Sequence, residues 1–110
     1  MAEATGGVVE VVVFALREGA TAEQLLASND AVEEWAKTQP GFISKEMFHV
    51  ADQDKWIDIV RWETMDAAHA AADAAVSSES CAAMFGLIDT ESTLILHGEP
   101  KARAFAGGAA

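Results

Sequence analysis

The sequence predicts an α+β domain with strands and helices in the order β-α-β-β-α-β. Four antiparallel strands would form one sheet, with two helices on one of its faces. Three observations predict this. Apolar, β-branched runs alternate with segments of helical period. Both main helical segments open on a threonine cap, Thr21 and Thr64. The two central strands are separated only by the polar loop Ala51-Asp52-Gln53-Asp54, which makes them a hairpin.

The first strand is Val8 to Arg17, a β-branched and aromatic run with one acid, Glu10, inside it. Glu18-Gly19-Ala20 is a turn. Thr21 followed by Gln24 has the capping-box spacing, and the helix it opens runs to about Gln39, where Pro40-Gly41 stops it. Leu25, Leu26, Val32, Trp35 and Ala36 give that helix an apolar stripe, with Asn29 beside it. Phe42 to Val50 is the second strand and Lys55 to Glu63 the third. Thr64 caps the second helix, whose body is mostly alanine, and Asp66 sits in its first turn, where the helix dipole favours an acid. Ser77-Ser78 breaks it. A further helical turn, Glu79 to Phe85, ends at Gly86, and the last strand covers about Glu91 to Gly98. A single domain over residues 8–98 is expected, with flexible ends at 1–7 and 99–110.

Composition narrows the function classes. The chain has 110 residues and a net charge of −11, with 51% hydrophobic and 23% charged residues. That is too apolar for a disordered acidic tail. It lacks the basic footprint of a nucleic-acid binder, and an anionic membrane surface would repel it. No apolar run approaches the roughly 20 residues of a membrane helix, and no basic n-region precedes the first apolar run, so a cytoplasmic protein is expected. The lone cysteine, Cys81, can form no internal disulfide and reads as a small buried apolar residue.

Two helices cover only one face of a four-stranded sheet, yet both faces are apolar. Val9, Val11 and Val13 oppose Val12 and Phe14; Ile57 and Ile59 oppose Trp56, Val60 and Trp62; Leu94 and Leu96 oppose Ile95. Covering several hundred Å² at about 25 cal/mol per Å² contributes on the order of 10 kcal/mol. The alanine-rich helix leaves a single copy with a thin core. A homodimer packed through the helix-free face is therefore expected, so the first partner of this chain is itself.

Polar residues inside apolar strands mark candidate sites. Asp58 lies within Trp56-Ile57-Asp58-Ile59-Val60 and must be paired, hydrogen-bonded or protonated there. In the expected hairpin register Asp58 faces Met47, and Lys45 lies diagonally within reach of a salt bridge. The plain reading is a structural ion pair. The functional reading is a pocket acid with a raised pKa acting as general base. Glu10 could approach Asp58 across neighbouring strands, or reach solvent from near the strand start. His49 faces Trp56 near the hairpin end and is a second candidate for proton abstraction. His69 belongs on the solvent-facing or flank side of the second helix, and His97 ends a strand as a ligand or interface residue. The three histidines lack metal-ligand spacing, so no metal site is expected. Asn29, Trp35, Trp56, Trp62 and Glu10 are candidate ligand contacts around an aromatic-binding cavity. The same tryptophans at these spacings also read as core.

Pro40-Gly41-Phe42 leading into the second strand, and Val60-Arg61-Trp62-Glu63-Thr64 running into an alanine-rich helix, resemble the dimeric α/β-barrel superfamily. The likeness is in particular to its antibiotic-biosynthesis-monooxygenase-like branch, over about Val8 to His97. The resemblance implies a ferredoxin-like fold, a pocket between sheet and helices, and a cofactor-independent monooxygenase-like activity on a hydrophobic or aromatic small molecule. A non-catalytic binding or structural dimer is the alternative. Haem-degrading members use an Asn on the first strand and a Trp and His on the second helix. Here Glu10 stands on that strand, the helix has no Trp, and His69 lies near its start, which disfavours haem. Quinone-forming members rely in part on Tyr, and this chain has none.

Overall fold

The computed structural model describes residues 7–107. The expected flexible N-terminus, except Gly7, and the last three residues of the expected tail lie outside them. The elements are β1 (Val8–Phe14), α1 (Ala22–Ala36), β2 (Phe42–Val50), β3 (Lys55–Trp62), α2 (Met65–Val76), α3 (Glu79–Phe85) and β4 (Leu94–Gly98). All strand pairs are antiparallel and the sheet order is β2-β3-β1-β4. This is the ferredoxin-like α+β arrangement, with the short α3 as a third helix.

Local chemistry explains the boundaries. The capping box forms: Gln24 N–H donates to Thr21 Oγ1 at 3.1 Å, and Thr21 N–H to Gln24 Oε1 at 3.0 Å. Thr64 caps α2 through Ala67 N–H at 3.0 Å. Between α1 and β2, Gly41 adopts φ +83° and its carbonyl accepts from Glu63 N–H at 2.8 Å. A Cβ there would stand 2.7 Å from Ala67 Cβ, so only glycine lets the chain pass this close to α2.

Three boundaries differ from the sequence reading by more than one residue, and β3 ends at Trp62, one residue before Glu63. Helix α1 ends at Ala36, three residues before Gln39, because Thr38 Oγ1 donates to the Trp35 carbonyl at 2.6 Å and the chain turns ahead of Pro40. Strand β1 ends at Phe14, and beyond it only Leu16 bridges, to Ile88. Strand β4 starts at Leu94 because Asp89 caps a 3₁₀ turn over Thr90–Ser92, accepting from Glu91 N–H at 3.2 Å and Ser92 Oγ at 3.0 Å. Residues 99–106 form no helix or strand and are exposed.

The hairpin register is the expected one: Met47 opposes Asp58, His49 opposes Trp56 and Lys45 opposes Val60. A bulge between Phe42 and Ser44 adds one residue to β2. Under the helices the core divides into two clusters. Val8, Val60, Trp62, Ala68 and Ala71 form one; Phe14, Leu25, Trp56, Met84 and Ile88 form the other. On the opposite face no described element covers the sheet. There Ile43, Phe48, Leu94 and Leu96 are each about half exposed, around Val9, Val11, Val13, Ile57 and Ile59.

Candidate functional site

A cavity of about 370 Å³ lies between the two clusters, and residues of both line it. Its walls are apolar: Val12, Phe14, Val60 and Trp62 from the sheet, Trp35 and Ala36 from α1, Ala71, Ala72 and Ala75 from α2, and Cys81 and Met84 from α3. The small alanines of α2 leave the space open, since a larger side chain at Ala71 or Ala75 would occupy it. Val76, Phe85, Thr90 and Ile95 line the cavity and are themselves partly or fully exposed, which places its open side toward edge strand β4.

Among the described residues, charged groups enter the cavity only from the sheet. Lys45, Asp58 and Glu10 are on the helix-side face of β2, β3 and β1, and all three line the cavity. Lys45 Nζ donates to Asp58 Oδ1 at 2.9 Å and to Asn29 Oδ1 at 2.6 Å. Asn29 Nδ2 in turn donates to Glu33 Oε2 at 2.7 Å. The Lys45 and Asp58 side chains are only 4% and 10% exposed, so this is a buried ion pair with further hydrogen bonds rather than a surface contact. Burial pushes the Asp58 carboxyl above its ordinary range even though the Lys45 ammonium and its hydrogen bond pull the other way, and the Glu33 charge adds to the rise.

Glu10 stands at the other end of the same floor. Its carboxylate accepts from the Trp62 indole N–H at 3.2 Å and lies 3.7 Å from His97 Nε2. Burial raises its pKa; the Trp62 hydrogen bond and His97 oppose the rise, while Asp58 contributes to it. The alternative that Glu10 reaches solvent is overturned: its side chain is 14% exposed, because β4 pairs over it and sets His97 directly opposite. Burial also pushes the Cys81 thiol up, in keeping with a neutral apolar wall rather than a nucleophile.

The structure thus brings together Asp58, Glu10, Trp35 and Trp62 at the cavity, with Asn29 one hydrogen bond behind Lys45. It does not bring Trp56 or His49 there. Trp56 is buried in the second cluster, and His49 stacks on it with ring centroids 4.5 Å apart while contacting Asp54 at 3.0 Å at the hairpin end. Sequence reasoning missed Glu33 and the pairing of Glu10 with His97. Glu33 is four residues from Asn29 on one helical face, a spacing that could have found it. The His97 contact depends on the β1–β4 register, which carries no local signal. Among the described residues no group of three or more His, Cys, Asp or Glu side chains could hold a metal ion, and no helix is long and apolar enough to cross a membrane.

Fold and site together define a ferredoxin-like α+β domain whose helices roof a ligand-sized apolar cavity with acid and lysine groups in its floor. The family model for antibiotic biosynthesis monooxygenase matches residues 7–84, most of the chain, and the chain belongs to that family. Solved structures share the fold. SnoaB, a cofactor-independent oxygenase from Streptomyces nogalater, superposes with a TM-score of 0.64 at 19% identity, covering 93% of this chain and 98% of that one. A Streptomyces coelicolor monooxygenase in complex with nanaomycin D gives 0.67 at 23% identity, covering 94% and 95%. A putative antibiotic biosynthesis monooxygenase from Bordetella bronchiseptica gives 0.70 at 14% identity, covering 91% and 99%. No curated protein matches the chain by sequence.

Proposed function

We propose that this protein is a homodimeric, cofactor-independent monooxygenase-like enzyme that takes a hydrophobic aromatic substrate into the cavity beneath its helices. One observation carries the reading: an apolar cavity of about 370 Å³ walled by Trp35, Trp62 and Phe14, with the Asp58–Lys45 pair in its floor. Such a site holds a flat apolar molecule by shape and offers it one base and one fixed cation. Asp58, its pKa raised by burial, takes a proton from a methylene activated by a neighbouring carbonyl. The Lys45 ammonium stabilises the enolate that forms. The carbanion adds to dioxygen, Asp58 returns the proton to the peroxide, and loss of water leaves the ketone. The sum, one methylene and one dioxygen giving one ketone and one water, balances without an outside reductant. The oxygenase and monooxygenase activities of the two Streptomyces neighbours support this reading.

The dimer forms through the helix-free face. Two copies packed sheet to sheet would cover Ile43, Phe48, Leu94 and Leu96, which a single copy leaves half exposed. One observation favours a binding dimer without catalysis: Asp58 and Glu10 already have internal partners, Lys45 and the Trp62 indole. Oxygen uptake with 1,8-dihydroxyanthrone, a flat compound with an acidic methylene, separates the two. The enzyme consumes one dioxygen per ketone formed, and Asp58→Asn lowers kcat by at least about a hundredfold. Binding with no catalysed uptake would leave the binding dimer as the function.

A further inference from the structure

The chemistry above uses Asp58 and Lys45 and leaves a second polar group of the cavity unused. Glu10 on β1 is directly opposite His97 on β4. One Glu10 oxygen is held by the Trp62 indole at 3.2 Å, and the other faces His97 Nε2 at 3.7 Å. That nitrogen is buried and has no hydrogen-bond partner among the described residues. A buried, unsatisfied imidazole nitrogen is costly, and a role in proton transfer is one reason for a fold to keep it. The His97 ring then meets the ring of His69 on α2 edge-on, with centroids 5.0 Å apart and planes at 84°. His69 is exposed to solvent. Three proton-binding side chains therefore stand in file from the cavity wall to the surface.

We propose that Glu10, His97 and His69 form a proton path between the cavity and solvent, with Glu10 as the second acid–base group of the site. The inference deepens the monooxygenase reading and rests on it for its purpose, but the path itself can be tested without turnover. Substrate seated in the cavity would fill its open side; the reaction above exchanges no net proton with solvent, so a route through the wall serves to set the protonation of the site's acids before and between turnovers. The step moves one proton and no electrons. The Glu10 carboxyl gives its proton to His97 Nε2, forming a carboxylate–imidazolium pair, and the imidazolium releases its other ring proton toward His69 and solvent. A contact of 3.7 Å is of the kind that tightens in a substrate complex.

The groups facing Glu10 fit this role. From β3 come the Trp62 indole and the Asp58 carboxyl, from β2 the Lys45 ammonium, and from β4 His97, with His69 of α2 behind it. Burial is the strongest influence and raises the Glu10 pKa, so Glu10 exchanges its proton at higher pH than a surface glutamate. Asp58, held at 2.9 Å by Lys45, is less free to do so.

The test has two arms on the full chain. In the first, NMR follows the Glu10 carboxyl against pH in the wild type and in His97→Gln. The path predicts that His97→Gln moves the Glu10 titration to higher pH, because the imidazole charge that opposes the burial-driven rise is lost. A Glu10 titration left unmoved by His97→Gln would overturn it. In the second, with 1,8-dihydroxyanthrone as substrate, His97→Gln lowers kcat about tenfold or more with KM little changed, and free imidazole restores part of the rate. His69→Asn gives a smaller loss that higher buffer concentration relieves. A His97→Gln enzyme with unaltered kcat and pH profile contradicts the path. If the wild-type protein shows no oxygen uptake, the monooxygenase reading fails while the first arm still decides the path.

Discussion

The two faces of this sheet are written in almost the same apolar alphabet, yet they are put to different use. On the helix side, Asp58, Lys45 and Glu10 interrupt the valines and tryptophans, and each has a partner: Lys45 with Asp58 and Asn29, Glu10 with the Trp62 indole. On the other side the central positions are Val11, Ile59 and Leu96, cross-strand neighbours with no polar group among them. Buried polar groups that are paired, beside an unfilled volume, mark a site. An apolar centre left in water, with Glu46, Ser44 and Arg61 only toward the β2 side of that face, fits the interface proposed above. The difference teaches that hydrophobicity alone does not separate core from site from interface; the placement and pairing of the few polar groups does.

A charge placed on each face in turn would test this contrast most severely. Ile59→Glu would bury a carboxylate in the proposed sheet-to-sheet dimer, at a cost of several kcal/mol, and should weaken dimerisation more than about a hundredfold. Sedimentation should show a folded monomer with unchanged far-UV circular dichroism. Next in size is Lys45→Met, which strands the Asp58 carboxyl in the floor of the cavity. Removing one partner of a buried pair costs about 3–5 kcal/mol, read as a lower urea midpoint. The double variant Lys45→Met/Asp58→Leu should recover most of the loss, and failure to recover would mean that the pair is not the coupled unit the distances imply.

The hairpin register and the Lys45–Asp58 pairing were legible in the sequence, because a four-residue polar loop between two strands leaves little freedom to slip. So was the divided apolar pattern of the two faces. The start of β4 was not, since Asp89 diverts the chain into a 3₁₀ turn through its own side chain, a local competition that β-propensity does not register. The burial of Glu10 was hidden for a different reason. It depends on two partners distant in sequence, Trp62 and His97, whose positions the sheet topology alone decides. Asn29 was recognised as sitting beside the apolar stripe, but its bond to Lys45 required the packing of α1 against β2.

Smaller effects sharpen the comparison. Gly41→Ala forces a Cβ to within 2.7 Å of Ala67 Cβ at a positive φ. It should cost about 1–3 kcal/mol in thermal or urea unfolding without changing the oligomer. The raised pKa of Glu10 means that the folded chain holds this proton more tightly than the unfolded chain. Its contribution to stability is greatest below the ordinary value of 4.5 and is lost as pH rises through the folded value. Glu10→Gln should remove that slope, so urea midpoints measured from roughly pH 4 to pH 8 fall less with pH in the variant than in the wild type. Last, Thr64→Ala deletes the exposed cap of α2 and should cost about 1 kcal/mol with dimerisation and ligand binding unchanged.

The cavity itself is tested most directly by ligand binding. Trp35 and Trp62 line it, so their fluorescence should be quenched as 1,8-dihydroxyanthrone is added, saturating in the micromolar range. Ala75→Phe fills the same space from α2 and leaves the opposite face untouched, so it should abolish the quenching while the dimer persists. Undiminished binding by Ala75→Phe, or no saturable binding by the wild-type protein, would contradict the assignment of this cavity as the site.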